Sequence, residues 1–416
     1  MNTKQTEIGE IPEDWEVVKL GEILTPSNER INPLYQFSDF CIELEHIQSN
    51  LGMLSGSTQT SKSSSLKNVF KKYDVLFGKL RAYLRKFWFA QKDGVCSTEI
   101  WVLKTNLKKA VPNFSYYIVQ SDNFIEAASE SYGTHMPRSE WKTVKELTIP
   151  LPPLPEQTAI AAILSDTDRL LAALRALIGK KRAIKTAAMQ QLLSGRLRLP
   201  GFAATGRLKD SELGEIPEDW EVVKLGEIAN IQRGASPRPI DSPIWFDQNS
   251  SIGWLRISDV SNADKYLYET SQNLSELGVA NSRLIEQDNL VMSICATVGK
   301  PIITKKDLCI HDGFVVFGSL HCDMEFMYYI LQSIEPIWAK SGQTGSQMNL
   351  NTDLIKSTQV ALPQSKPEQT AIALTLSDMD SEIAALEART AKLAQIKQGL
   401  MQNLLTGKIR VNTGAA

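Results

Sequence analysis

Residues 8–23 read IGEIPEDWEVVKLGEI and residues 213–228 read LGEIPEDWEVVKLGEI, alike at every position but the first. Two more pairs follow in the same order. PEQTAIA stands at 155–161 and again at 367–373, and MQQLLSGRLRL at 189–199 is matched by MQNLLTGKIRV at 401–411. Repeats fix architecture before any single residue is weighed. Here the repeating piece is about half of the 416-residue chain, so one module is used twice and no solenoid is expected.

Each half runs from the opening motif through a variable stretch to a proline-rich hinge and then a long helical pattern. The hinges are Pro150-Leu151-Pro152-Pro153-Leu154-Pro155 and Leu362-Pro363-Gln364-Ser365-Lys366-Pro367; prolines end one element and sit in the first turn of the next helix. After the second hinge, Ile372, Leu376, Met379, Ile383, Leu386, Thr390, Leu393, Lys397, Leu400 and Leu404 alternate in steps of four and three. That is a heptad seam. Its weaker counterpart is Ile160, Leu164, Thr167, Leu171, Leu174, Ile178, Lys181, Lys185, Ala188 and Leu192. Gly195 and Gly407 follow as C-caps. Helices of about 40 residues span roughly 60 Å. The shared frame suits two helices paired with each other; the alternative is that each folds back on its own domain.

The variable stretches share a plan. Asp74–Phe77 precede Lys86 much as Asp288–Val291 precede Lys300, Cys96-Ser97-Thr98-Glu99 lines up with Cys309-Ile310-His311-Asp312, and Gly133–Met136 with Gly345–Met348. Short apolar alternations between turn residues predict mixed, mostly β domains with some helix. The expected organisation is a first domain over 1–152, a helix over 153–200, a linker over 201–212, a second domain over 213–363 and a second helix over 364–411.

Composition narrows the class. With 43% hydrophobic residues the chain can build two cores. No run of about 18 apolar residues announces a membrane span, the start MNTKQTEIGE has no apolar signal core, and five scattered cysteines suit a reducing cytoplasm. Residues 1–150 hold 18 basic and 18 acidic side chains, 151–212 hold 10 and 5, and 213–362 hold 11 and 19. Bulk charge therefore does not announce a nucleic-acid binder.

The opening repeat keeps Glu13, Asp14, Lys19 and Glu22 as well as Trp15 and Val17, while the domain interiors have drifted. A core alone would not require identical surface charges, so a constant frame for two copies of one partner, carrying two diverged readers, is the simplest account.

Catalytic signatures are missing. Gly299-Lys300 is followed by proline and lacks the upstream glycine of a P-loop, and no G-x-G-x-x-G opens a helix. Asn32-Pro33-Leu34-Tyr35 is similar to the Asn-Pro-Pro-Tyr motif of amino-methyltransferases but lacks its second proline. Cys309, His311, His321 and Cys322 could be set out as zinc ligands, yet Cys96 has no histidine after it, which favours a small buried strand residue. A basic run, Lys62 to Lys86, carries interleaved Tyr83, Phe87 and Trp88, as phosphate and guanine contacts require. In the second half Arg233, Arg238 and Arg256 could do the same, and the 341–351 loop is rich in side chains that pair with adenine edges.

Taken together, the motifs resemble the specificity subunit of type I restriction–modification systems. The resemblance rests on IPEDWEVVKLGEI opening each half, LPPLPEQ before the first helix, LLSGRLRL and LLTGKIRV closing the helices, and the pieces YDVLFGKLRAYLRK and CSTEIWVL. The second hinge departs from the pattern as LPQSKPEQ, which leaves its helix start intact. The resemblance implies an α+β fold: two pseudo-twofold-related target-recognition domains separated by a pair of long antiparallel coiled-coil helices. It implies a non-catalytic, cytoplasmic DNA-binding subunit that reads a bipartite, asymmetric double-stranded site, one half per domain. Two methyltransferase subunits would dock on it, and restriction subunits would join them. S-adenosylmethionine, ATP and Mg2+ would be cofactors of those partners, with no cofactor, metal or membrane for this chain. By internal alignment the reading residues are Lys79, Arg81, Tyr83, Arg85, Thr134, His135 and Arg138 in the first domain. In the second they are Arg233, Arg256, Lys300, Ser346, Gln347 and Asn349. The rival expectations are an enzyme that methylates or cleaves DNA itself, and an adaptor that holds only proteins.

Overall fold

The prolines of the hinges act as helix starts. One 39-residue helix runs Leu154–Leu192 and another Lys366–Leu404, and Gly195 and Gly407 close them with φ of +71° and +74°. The computed structural model describes residues 2–60, 65–130, 137–202, 206–341 and 350–412. Two units divide the chain, Met1–Ala176 with Glu387–Ala416, and Leu177–Leu386, so the division falls inside both long helices.

Each unit carries two larger sheets and two two-stranded ones. In the first unit Arg30–Ile31, Lys67–Phe70, Gly94–Ser97 and Cys41–Ile42 form one sheet, and Leu24–Pro26, Ile100–Thr105, Val75–Gly78 and Phe87–Phe89 the other. The second unit repeats the plan. Gln272–Asn273, Gly253–Leu255, Leu308–Ile310 and Arg283–Ile285 form one sheet, and Asn230–Arg233, Phe314–Gly318, Leu290–Ser293, Pro301–Thr304 and Tyr266–Leu267 the other. Strand periodicity of two sorts the side chains between two cores. Val75 and Phe77 face the core built with the helices, whereas Leu76 joins Ile42, Cys96 and Val102 between the sheets. In the second unit Leu290 and Met292 face the helices, and Val291 joins Leu255, Ile310 and Val316.

This core pattern corrects two internal alignments, that of Asp74–Phe77 with Asp288–Val291, since Phe77 matches Met292, and that of Cys96 with Cys309. Gly78 N–H donates to Lys86 O and Ser293 N–H to Lys300 O, and Gly78 lies opposite Ile100 as Ser293 lies opposite Phe314. In that register Cys96 matches Ile310, not Cys309. Cys309 points to the other face, into a cluster with Trp245, Trp254 and Leu274. One residue of slip reverses every side chain in a strand, and the shared cysteine letter hid it.

The long helices pair antiparallel in each unit. Lys397 meets Asp168 at 2.7 Å in the first; Lys181 meets Glu382 at 2.7 Å and Lys185 meets Asp380 at 2.6 Å in the second. Ile160 and Leu164 share the first unit's core with Leu404, while Ile372 and Leu376 share the second's with Leu192. The alternative of helices folded back on their own domains thus holds only for the first part of each. The architecture is α+β, two like domains with a pair of long antiparallel helices.

The three repeated motifs converge, and they do so crosswise. Arg410, just past the second helix, donates through Nε and Nη2 to the carboxylate of Glu156 (both 2.7 Å) and through Nη1 and Nη2 to Asp14 (both 2.8 Å), while Trp15 Nε1 donates to Glu156 at 2.9 Å. In the second unit Arg198 does the same to Glu368 (2.5 and 2.8 Å) and Asp219 (both 2.8 Å). The glutamines of PEQ tie each helix start to its domain. Gln157 Nε2 donates to Pro152 O (2.8 Å) and its Oε1 accepts from Val111 N–H (2.9 Å); Gln369 Nε2 donates to Pro363 O (2.8 Å) and its Oε1 accepts from Asp323 N–H (2.7 Å).

Two outcomes follow. Arg410→Ala leaves Glu156 buried without its cation, so the first unit should lose about 3–5 kcal/mol. Adding Glu156→Gln should return much of that loss in a double-mutant cycle read by urea unfolding. A Cβ at Gly407 would stand 2.5 Å from Pro12 Cδ at a φ that strains any L side chain. Gly407→Ala should therefore cost about 1–3 kcal/mol, whereas Gly399→Ala, mid-helix with open space around it, should stabilise by about 0.5–1 kcal/mol.

Candidate nucleic-acid interface

Around the aligned lysines, Lys86 and Lys300, the two units repeat the same backbone contacts. Lys79 N–H donates to Glu99 O at 3.0 Å and Ile294 N–H to Gly313 O at 2.8 Å. Two residues on, Arg81 and Ala296 both adopt left-handed backbone, φ +55° and +57°. Ser139 N–H then donates to Lys79 O at 2.9 Å, as Leu350 N–H does to Ile294 O at 3.0 Å. The turn around 79–85 is therefore tied to Ser139, and 294–300 to Leu350. Thr134, His135, Ser346, Gln347 and Asn349 lie outside the described residues.

In the first unit the basic run largely dissolves. Lys67 is buried against Glu43 (2.8 Å), Lys71 meets Asp93 (3.2 Å), Arg85 pairs with Asp122, and Lys86 Nζ donates to Leu44 O (2.6 Å). Arg138 lies beside the turn, bridged to Leu80, and binds Glu99 at 2.9 Å. Lys79 is half-buried and Arg81 exposed, neither paired with a carboxylate among the described residues, and Tyr83 is 57% exposed. Arg81 and Arg85 bracket a single 3-10 turn, both left-handed. Such backbone costs of order 1 kcal/mol per residue, and it gathers at functional sites. From this turn a groove of about 710 Å3 runs past Arg85, Asp168, Arg175, Lys397 and Lys408.

The second unit concentrates its charge elsewhere. Lys300 Nζ donates to Ser261 O (3.1 Å) and Ala263 O (2.9 Å), at the end of the short helix Ile257–Asn262. Lys86, its counterpart, likewise ends on a carbonyl, so both lysines fasten backbone. Arg233 and Arg256 lie on either side of the 310–312 strand end, where Arg233 Nε donates to Asp312 O (2.6 Å) and Arg256 Nε to Gln272 Oε1 (2.7 Å). Arg283 joins them, donating to Arg233 O (2.6 Å) and Gln232 Oε1 (2.7 Å). Sequence reasoning missed Arg283, whose neighbours read as an ordinary strand; a tally of arginines alone, apart from lysines, would have found it.

His311 backs this corner. Its ring packs 4.6 Å from Phe314 and 5.8 Å from Trp254, and Nδ1 accepts from Gly313 N–H at 2.9 Å. Burial pushes its pKa below the usual histidine value against the opposing pull of Asp312. Burial also raises the thiols of Cys309 and Cys322 to about 12. Among the described residues no three His, Cys, Asp or Glu side chains are grouped to hold a metal, and no helix is long and apolar enough to cross a membrane.

The frame charges have internal uses. Asp14 is bound by Arg410, Lys19 meets Glu146 at 2.6 Å, and Glu22 meets Lys109 at 2.6 Å. The Arg410 guanidinium holds the Asp14 carboxyl below the usual aspartate value, more than burial raises it. Of the four, only Glu13 stands exposed with no ion pair among the described residues, so the repeated charges do not by themselves demand a partner.

The family described as the type I restriction modification DNA specificity domain matches residues 12–182 and 217–398. The type I restriction enzyme MjaVIII specificity subunit of Methanocaldococcus jannaschii is 27% identical over 96% of this chain and 94% of its own. The putative MjaX specificity subunit of the same organism is 29% identical over 99% and 97%. Among solved structures, the type I restriction–modification S subunit from M. genitalium matches with a TM-score of 0.57 at 16% identity, covering 97% of this chain and 99% of that one. A chain from a structural study of the complex assembly and conformational transition of the type I R-M system matches with a TM-score of 0.60 at 21% identity, covering 96% and 99%.

Lys300→Met should lower stability by about 0.5–1.5 kcal/mol, because an exposed and a half-buried carbonyl lose their shared donor. Denaturant unfolding reads that loss, while the nucleic-acid affinity of the folded fraction should stay at the parent value.

Proposed function

The chain belongs to the type I restriction modification DNA specificity family, and from that premise we propose that it reads a two-part, asymmetric DNA sequence, one half with each domain. The observation that carries this reading is a shared backbone frame whose corners differ in chemistry. Where the second unit places Arg256 and Arg283, the first places Glu43 and Asn68, each at the matching point beside the strand of Cys96 or Ile310. Two readers of unlike sequence need unlike side chains on like supports.

The chain does no chemistry in this proposal. Two methyltransferase subunits bind it and methylate adenine with S-adenosylmethionine, and restriction subunits using ATP and Mg2+ complete the complex. A chain balanced to acidic over its domains fits this division, since partners then supply much of the phosphate grip and leave base contacts to the readers. Cytoplasmic placement accords with it.

The long helices set the gap between half-sites, as module spacing does in other DNA readers. Both helices must be lengthened together because they are paired. Seven residues inserted after Ala176 and seven after Leu386 add about 10 Å, or roughly three base pairs at ~3.4 Å each. Genome-wide methylation mapping with the methyltransferase subunits should show both half-sites kept and the gap enlarged by about that amount. A retained gap would refute the spacing role; absence of any two-part methylated sequence in the parent would refute the function.

A further inference from the structure

Residues 213–362 contain four arginines, Arg233, Arg238, Arg256 and Arg283, within a stretch of 11 basic and 19 acidic side chains. All four branch from the backbone near the same end of one sheet. Leu255 and Ile310 are partners in a parallel pair, so Arg256 and His311 leave the sheet at the same end. Arg283 lies opposite Ile310 on the other side. Ala235 N–H donates to Ile310 O at 3.1 Å, which brings Arg233 and Arg238 to that end too.

Their anchors are nearly all uncharged. Arg233 is held through Nε by a carbonyl, Arg256 through Nε by the Gln272 amide, and Arg283 by a carbonyl and the Gln232 amide. Among the described residues the ion pair these arginines make is Arg238 with Asp312, at 3.4 Å and well exposed. Four cations, three of them anchored on neutral groups, against the carboxylates of Asp312 and Asp259 leave a net positive charge inside an acidic region, which suits an anionic partner. The anchoring is also directional. With Nε fixed, Arg233 and Arg256 keep both terminal nitrogens, the paired donors that match O6 and N7 of guanine.

We propose that this corner reads guanine in one half of the recognised DNA, with Arg256 and Arg233 contacting the base and Arg283 positioning Arg233. The inference rests on the DNA-reading function proposed above. The first unit, with Glu43 and Asn68 at the matching points, reads its half by other chemistry and serves as an internal control.

The test is methylation mapping in cells that carry the methyltransferase subunits with the parent chain, Arg256→Ala, Arg256→Lys or Arg233→Ala. The parent should mark a sequence with guanine in the half that substitutions in the second unit alter. Arg256→Ala should relax that position by roughly ten- to a hundredfold. Arg256→Lys should relax it also, since a lysine keeps the charge but not the two parallel bonds. An unchanged first half shows that each variant folds and assembles. If the altered half holds no guanine, the inference is overturned while the function stands. It is equally overturned if the variants keep the parent sequence and weaken binding to all DNA alike, with the salt slope reduced by about one, because that is a phosphate grip only. A parent complex that marks no two-part sequence overturns the function and this inference together.

Discussion

Glu156 and Glu368 are 2% and 1% exposed, and a carboxylate taken out of water survives only where cations and donors surround it. Each is met by a bidentate arginine that the other half of the chain supplies, 254 residues on for Glu156 and 170 residues back for Glu368. The pairing need not add net stability, since desolvation offsets much of the attraction. What it adds is direction: a fork with two carboxylates in fixed places admits one arrangement of helix end, helix start and opening motif. The rest of each core is laid down around that junction, where Leu404 and Leu405 pack with Trp15, and Leu192 and Leu193 with Trp220.

The same logic recurs along the helices. A lysine in a heptad seam weakens it, yet Lys185 and Lys397 both stand there by design of their neighbours. Lys185 lies against Asp380 and over the ring of Tyr329, and Lys397 against Asp168 and over Tyr117; each tyrosine hydroxyl donates to that same aspartate. Burial and the adjoining aspartates push both phenols well above their ordinary range, so they stay donors. Polar seam residues that are satisfied in one register penalise every other one. In both units that register is antiparallel.

Much of this was legible. Three repeated motifs declared two modules, proline and glycine declared the helix ends, and the four-three spacing declared the seam. The crossing was not legible, because a heptad has the same spacing whichever domain it covers; Arg198 and Arg410 stand in the repeats without any sign of which carboxylate each binds. The strand register slipped by one because Cys96 and Cys309 share a letter, although what counts is the face each side chain takes. At the site the error ran both ways. The 62–86 run looked basic because sequence proximity ignores partners brought from elsewhere, such as Glu43, Asp93 and Asp122. Arg233, Arg238 and Arg256 stand out in the sequence, but not as one site with Arg283, because the four are scattered over fifty residues and are brought near only through strand pairing.

The contrast between frame and corner has a physical reason that involves no partner. A frame residue is bound on several sides: Asp14 by a guanidinium that also serves Glu156, and Gly21 by Lys145, whose Cβ and carbonyl stand 3.1 and 3.3 Å from where a Cβ would be, with Gly226 and Lys356 repeating this at 3.0 and 3.2 Å. Changing one such residue demands matched changes in the other half of the chain. At the corner the supports are backbone carbonyls and amide side chains that hold equally well when the cation is absent. Arg256 and Glu43 each cap a short turn through the main-chain N–H, to Asp259 and to His46 Nδ1, and their own side chains are left out of that bond. At Arg256 a substitution alters what the surface offers without disturbing the turn that presents it, so its reading chemistry can drift while the clamp does not; Glu43 also answers the buried Lys67 and can change only together with it.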